Sequence, residues 1–183
     1  PQPGNIPGGP RDVRVTADFN DGSAQGFFID SGQWTVSGGK LQVAPAALGQ
    51  DAVSVFYANV TLPNYFELKA TISTAKPVGG YKSNAYLVFD YYAPDDFKFA
   101  GIDVSTNKMV MGHRDASGWH YDKQAAVPGS VKADTNYDLL LALNGTVATL
   151  VFNNKNVFTH VYAPRVDEDG FAYGLNAGLV GLG

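Results

Sequence analysis

The chain has 183 residues, enough for one domain with a substantial core. It is 45% apolar and only 16% charged, the composition of a folded protein rather than a disordered one. A net charge of −4, with the Lys and Arg residues scattered, excludes the basic footprint that a nucleic-acid partner needs.

Residues Pro1–Pro10, PQPGNIPGGP, hold four Pro and three Gly with no periodic apolar face, so residues 1–12 read as a linker and 13–183 as a single domain. From Arg14 the chain becomes a series of short alternating runs. RVTADF (Arg14–Phe19) predicts a strand, and a loop through DGSAQG follows. QWTVS (Gln33–Ser37) and KLQVA (Lys40–Ala44) meet at Gly38-Gly39, a two-residue hairpin signal. AVSVFYANV (Ala52–Val60) and YFELKATIST (Tyr65–Thr74) are separated by Leu62-Pro63-Asn64.

In NAYLVFDYYAPDDFKFAGIDVS (Asn84–Ser105), Tyr86, Val88 and Asp90 alternate with Leu87, Phe89 and Tyr91. Ala93-Pro94-Asp95-Asp96 supplies turn chemistry, and Phe97 to Asp103 the return strand. KMVMGHRD (Lys108–Asp115) and GWHYDKQAAV (Gly118–Val127) form the next hairpin, and Pro128-Gly129 ends it. YDLLLALN (Tyr137–Asn144) and TVATLVFN (Thr146–Asn153) join at Asn144-Gly145. NVFTHVY (Asn156–Tyr162) pairs next, and LNAGLVGLG closes the chain. No window carries a helical period over three turns. About a dozen strands at this spacing predict an all-β, two-sheet antiparallel sandwich of jelly-roll type.

The absence of Cys excludes disulfides and thiolate chemistry, and with abundant Gly, Asn, Asp and aromatics it suits a bacterial surface or secreted protein. There is no signal-peptide pattern and no run of eighteen apolar residues, so no membrane insertion is expected. Paired-carboxylate hydrolysis needs two acids about 5–9.5 Å apart. The only Glu residues are Glu67 and Glu168, with no E-x-D-x-E run; Asp90 and Asp103 are the one pair placed to face each other across a hairpin. His113, His120 and His160 form no H-x-x-x-H pair, although the first two fall on neighbouring predicted strands.

Calcium is the metal that the loops suit, because it takes oxygens from Asp, Asn and backbone carbonyls. Asp18, Asn20 and Asp21 form the first such loop; Asp95-Asp96 and Asp167-Glu168-Asp169-Gly170 are two more, and for any single loop the Asx turn is the reading favoured over a metal site. Tyr91, Tyr92 and Trp119, with Asp95, Asp96, Arg114 and His120, are the mix of rings and polar groups that a shallow sugar site requires. Trp119 is expected on the surface at a loop edge.

The succession DFNDGSAQGF, GQWTVSGGKLQV, YLVFDYYAPDDFKFAGID, a strand with Gly-His and a Trp, and YDLLLALNGTVATLVFN resembles the LamG-like (concanavalin A-like) jelly-roll domains of large bacterial surface adhesins, over roughly Asp18 to Gly183. The resemblance implies a two-sheet sandwich in an extracellular setting, acting as a ligand-binding or spacer unit between neighbouring domains, often with bound Ca²⁺. It does not imply catalysis. It also implies a further strand after GLVGLG, beside Asp18-Phe19, so the 13–183 domain is expected to lack its final strand. The expected role is a non-enzymatic adhesin module for carbohydrate or another cell-surface ligand; a structural spacer and a glycan-active hydrolase are the alternatives.

Overall fold

A computed structural model describes residues 6–183 except 128, and no side chain at 156 or 157. The linker expected at 1–12 and the break at Pro128 therefore lie partly outside the described residues. The strands are β1 (Phe27–Ser31), β2 (Gln33–Ser37), β3 (Lys40–Ala44), β4 (Val53–Phe56), β5 (Tyr65–Ile72), β6 (Asn84–Ala93), β7 (Asp96–Asp103) and β8 (Lys108–Asp115). They continue as β9 (Gly118–Ala126), β10 (Tyr137–Asn144), β11 (Val147–Phe152), β12 (Lys155–Val161), β13 (Arg165–Val166), β14 (Ala172–Tyr173) and β15 (Leu179–Leu182). Among the described residues, no helix is long and apolar enough to cross a membrane.

Seven strands form one antiparallel sheet in the order β1-β4-β15-β6-β7-β8-β9, and four form a second, β12-β11-β10-β5. The main core lies between them. Leu87, Phe89, Ala100, Ile102, Met109 and Met111 of the larger sheet meet Leu139, Leu141, Leu143 and Leu150 of the smaller one, as period-2 alternation dictates. The larger sheet also buries apolar side chains on its outer face: Val53, Val55, Tyr86, Val88, Phe97, Phe99 and Val110 form a second cluster. Both faces of β6 and β7 are thus covered, which explains their nearly continuous apolar run.

Arg14–Phe19 is not a strand. The Gln25 side-chain oxygen accepts from the Asp18 and Phe19 N–H groups (2.8 and 2.9 Å), and Phe19 takes φ 58°. Those donors are no longer available to a ladder. The larger sheet opens instead with β1, in a stretch to which the sequence reading assigns no element. The run at Ala52–Val60 shortens to β4, and β13 and β14 are a small hairpin that was not anticipated. Of the described part of the expected linker, Arg11 is tied to Glu67 of β5 at 2.7 Å. β15 lies in the interior of the larger sheet, hydrogen-bonded to β4 on one side and β6 on the other.

The β6 alternation holds from Tyr86 to Phe89 and then changes phase. Phe89 lies opposite Lys98 and Ala93 opposite Asp96, so Asp90, Tyr91 and Tyr92 face Phe97 alone. Asp90 adopts φ 49° inside this bulge. In consequence Tyr91 joins the outer-face cluster instead of continuing on the side of Leu87 and Phe89.

Candidate functional site

The register of β6 through β9 places two turns, Pro94-Asp95 and Ala116-Ser117, at the same end of the larger sheet, since Phe97 pairs with Arg114 and Arg114 with Trp119. All seven side chains singled out for ligand binding lie at or near this end. They fall into three groups and not one.

Tyr92 and Asp96 are brought together by Arg165, a residue the sequence reading missed. The Arg165 guanidinium lies 4.1 Å from the centre of the Tyr92 ring. It donates two hydrogen bonds to the Asp96 carboxylate, at 2.9 and 2.7 Å, and a third to Asp90 Oδ2 at 2.9 Å. Lys98 donates to that same Asp90 oxygen. Arg165 itself sits on β13, directly opposite Tyr173 of β14. Asp167 holds their connecting turn: it accepts from the Phe171 N–H at 2.8 Å and from the Tyr173 hydroxyl at 2.9 Å. Phe171 and Tyr173 pack edge to face at 4.9 Å.

Three rings are thereby presented outward beside one ion-pair network, with Tyr92 46%, Phe171 61% and Tyr173 36% exposed. Burial first, and then the charge on Asp90, raise the Tyr92 phenol; Arg165 opposes them and the Tyr173 hydroxyl adds to them. The phenol therefore remains a hydrogen-bond donor at neutral pH. The Arg165 hydrogen bonds, and then its charge, outweigh desolvation and lower the Asp96 carboxyl. Asp95 is exposed in the adjoining turn. The signal for this hairpin is the acidic D-E-D-G turn between Arg165-Val166 and Phe171-Ala-Tyr173, which the sequence reading takes as an ion loop or an Asx turn without strands on either side.

The second group is Arg114 and Trp119, joined by Asp51. The Trp119 indole N–H donates to Asp51 Oδ1 at 2.7 Å and the Arg114 Nε–H to Oδ2 at 3.1 Å. Trp119 is not free on the surface as expected. Its ring packs on Phe99 at 4.8 Å, Phe97 at 5.2 Å and Tyr86 at 5.7 Å, closing the outer-face cluster. Tyr91 is 9% exposed and stacks on Phe97 at 5.6 Å, so it too serves packing. His120 belongs to the third group, with His113 and Asp115, on the other side of the β8–β9 hairpin.

Asp90 and Asp103 do not face each other. Asp103 lies opposite Asn84 at one end of the hairpin, and Asp90 beyond Phe89 at the other. Glu67 is engaged by Arg11 and by the Tyr65 hydroxyl. Asp18, Asn20 and Asp21 sit in a separate loop against the β2–β3 turn. Asp18 accepts from the Asn20 N–H and Gln25 Nε2, both at 3.1 Å, and Asp21 from the Ser23 N–H and hydroxyl, both at 2.9 Å. These bonds, the backbone ones foremost, lower both carboxyls below the usual range. The loop offers two carboxylates and an amide oxygen, a donor chemistry that fits calcium, while each carboxylate already serves an Asx turn.

No protein-family profile and no curated protein sequence matches the chain. Solved structures do. A carbohydrate binding module, CBM66 from Bacillus subtilis, superposes with a TM-score of 0.67 over 86% of each chain at 12% identity. The carbohydrate recognition domain of Emp46p, in a potassium-bound form, gives 0.55 over 94% of this chain and 86% of its own at 10% identity. A Bacillus subtilis protein of unknown function with a galectin-like fold gives 0.54 over 92% and 84% at 14% identity. The fold is a jelly-roll β-sandwich. At these identities the likeness concerns backbone architecture, and the side chains at the sheet end must be judged on their own geometry.

Proposed function

We propose that this chain is a non-catalytic carbohydrate-binding module of an extracellular bacterial surface protein, with its sugar contact at Tyr92, Tyr173 and Phe171. The observation that carries the reading is the exposed Tyr92 ring beside Asp96, both held by Arg165, with the exposed Phe171 and Tyr173 rings on the hairpin that carries Arg165. Sugar rings lay C–H faces on aromatic faces, and their hydroxyls pair with carboxylates and phenols. A preorganised platform of this kind loses little side-chain entropy on binding. The fold adds support, since two of the similar structures are described as a carbohydrate binding module and a carbohydrate recognition domain. The adhesin setting, with neighbouring domains of the same chain as partners, rests on the LamG-like motifs. Calcium at Asp18, Asn20 and Asp21 completes the proposal as a structural ion.

A glycan array followed by titration calorimetry tests the sugar site. Tyr92→Ala is expected to weaken binding by roughly tenfold, the order of one lost aromatic contact. Trp119→Ala is expected to act through stability instead. A chain that binds no glycan would be a structural spacer, whereas glycan binding unchanged in Tyr92→Ala would overturn the Tyr92 platform as the site.

A further inference from the structure

We propose that His113, Asp115 and His120 form a binding site for one divalent transition-metal ion at the rim of the β8–β9 hairpin, independent of the carbohydrate reading. His113 and His120 are cross-strand partners, and their rings stack at 5.0 Å with 20° between planes. Asp115 ends β8 and turns its carboxylate toward both. Its Oδ1 lies 3.1 Å from His120 Nε2, and its Oδ2 lies 3.8 Å from His113 Nε2. The donor atoms of the three residues all fall within 4.8 Å of one another. A tetrahedral zinc centre with bonds of about 2.0–2.1 Å needs donors about 3.3 Å apart. The approach required is therefore no more than a side-chain adjustment.

Two features separate this group from an ordinary turn. The turn chemistry uses only Oδ1 of Asp115, which accepts from the Ser117 N–H at 2.8 Å and its hydroxyl at 2.7 Å, leaving Oδ2 turned to His113. The second feature is Asp122. Both its carboxylate oxygens lie 2.9 Å from His113 Nδ1, a contact that orients the ring with Nε2 toward Asp115. A carboxylate behind a histidine is the arrangement that fixes ring orientation and raises ligand basicity in metal centres.

Two imidazole nitrogens and one carboxylate oxygen suit zinc, copper or nickel and not calcium, which takes oxygen ligands alone. The three side chains are between 39% and 51% exposed, so the ion enters from solvent and water completes the shell.

Tag-free protein stripped with a chelator and titrated with ZnCl₂ by calorimetry tests the site. One equivalent is expected to bind, raising the melting midpoint and shifting the Nε2 resonances of His113 and His120. His113→Ala and His120→Ala should each abolish that binding while the metal-free proteins keep their near-ultraviolet dichroism. Asp122→Asn should weaken it about 10–100-fold. Absence of a stoichiometric event in the wild type overturns the proposal, as does undiminished binding by the double His variant. An unchanged affinity in Asp122→Asn overturns the positioning role of Asp122.

Discussion

At Asp90 the backbone takes φ 49° inside a strand and buries a carboxylate between Lys98 and Arg165. Asp90 is 1% exposed, and Asp tolerates the left-handed region better than the aromatic residues beside it. Lys98 depends on that charge, whereas Arg165 is also held by Asp96. Asp90→Asn, which keeps the shape and removes the charge, is expected to destabilise the fold by about 3 kcal/mol, because breaking a buried pair leaves the partner uncompensated. Urea unfolding measures it, and a loss under 1 kcal/mol would mean that Lys98 and Arg165 find other partners. Asp90 also marks where the sequence stopped being legible. Turn chemistry and aromatic density, which are local, single out Tyr92 and Asp96 as candidates. Arg165 is not among them, because its bonds to Asp90 and Asp96 span 75 and 69 residues and leave no trace in spacing. For the same reason Tyr91 and Trp119 were placed in the ligand site. Ring-rich segments near turns look alike until the outer-face cluster shows which rings it absorbs.

At the level of elements, alternation and turn residues sufficed wherever a strand is regular. β2, β3, β8 and β10 have the bounds read from sequence, and Gly38-Gly39 supplies the φ values of 58° and 67° that a two-residue hairpin needs. The reading failed where side chains capture the backbone, as Gln25 does at Asp18 and Phe19, and where a strand is inserted from a distance. β15 is the clearest insertion, a four-residue strand threaded between β4 and β6. Its entry is tight: a Cβ on Gly178 would lie 2.6 Å from Asp90 Cα and Tyr91 N. Backbone cannot yield there as a flexible side chain would. Gly178→Ala is expected to cost about 3 kcal/mol, at the upper end of overpacking, and to loosen the β6 bulge. Hydrogen exchange at Gly181 and Val88 checks this, and protection equal to the wild type would show that the strand shifts without penalty.

For the whole molecule, the two large sheets account for the core, whereas the β2–β3 sheet stands apart from both. The loop at Asp18–Gly22 reaches it: a Cβ on Gly39 would lie 2.7 Å from the Asn20 side-chain oxygen. This loop therefore links the start of the domain to a hairpin that shares no ladder with the rest. An ion held by Asp18, Asn20 and Asp21 would tighten that link and stabilise the folded state by mass action, by about 2.7 kcal/mol at a hundredfold excess over its dissociation constant. Chelated protein is expected to melt lower and to recover when calcium alone is restored. Asp21→Asn should melt at the lower temperature under both conditions, whereas His113→Ala should respond to calcium as the wild type does. If wild-type midpoints coincide with and without calcium, the Asx-turn bonds to Asn20 and Ser23 hold the loop unaided, and the hairpin is anchored by protein contacts only.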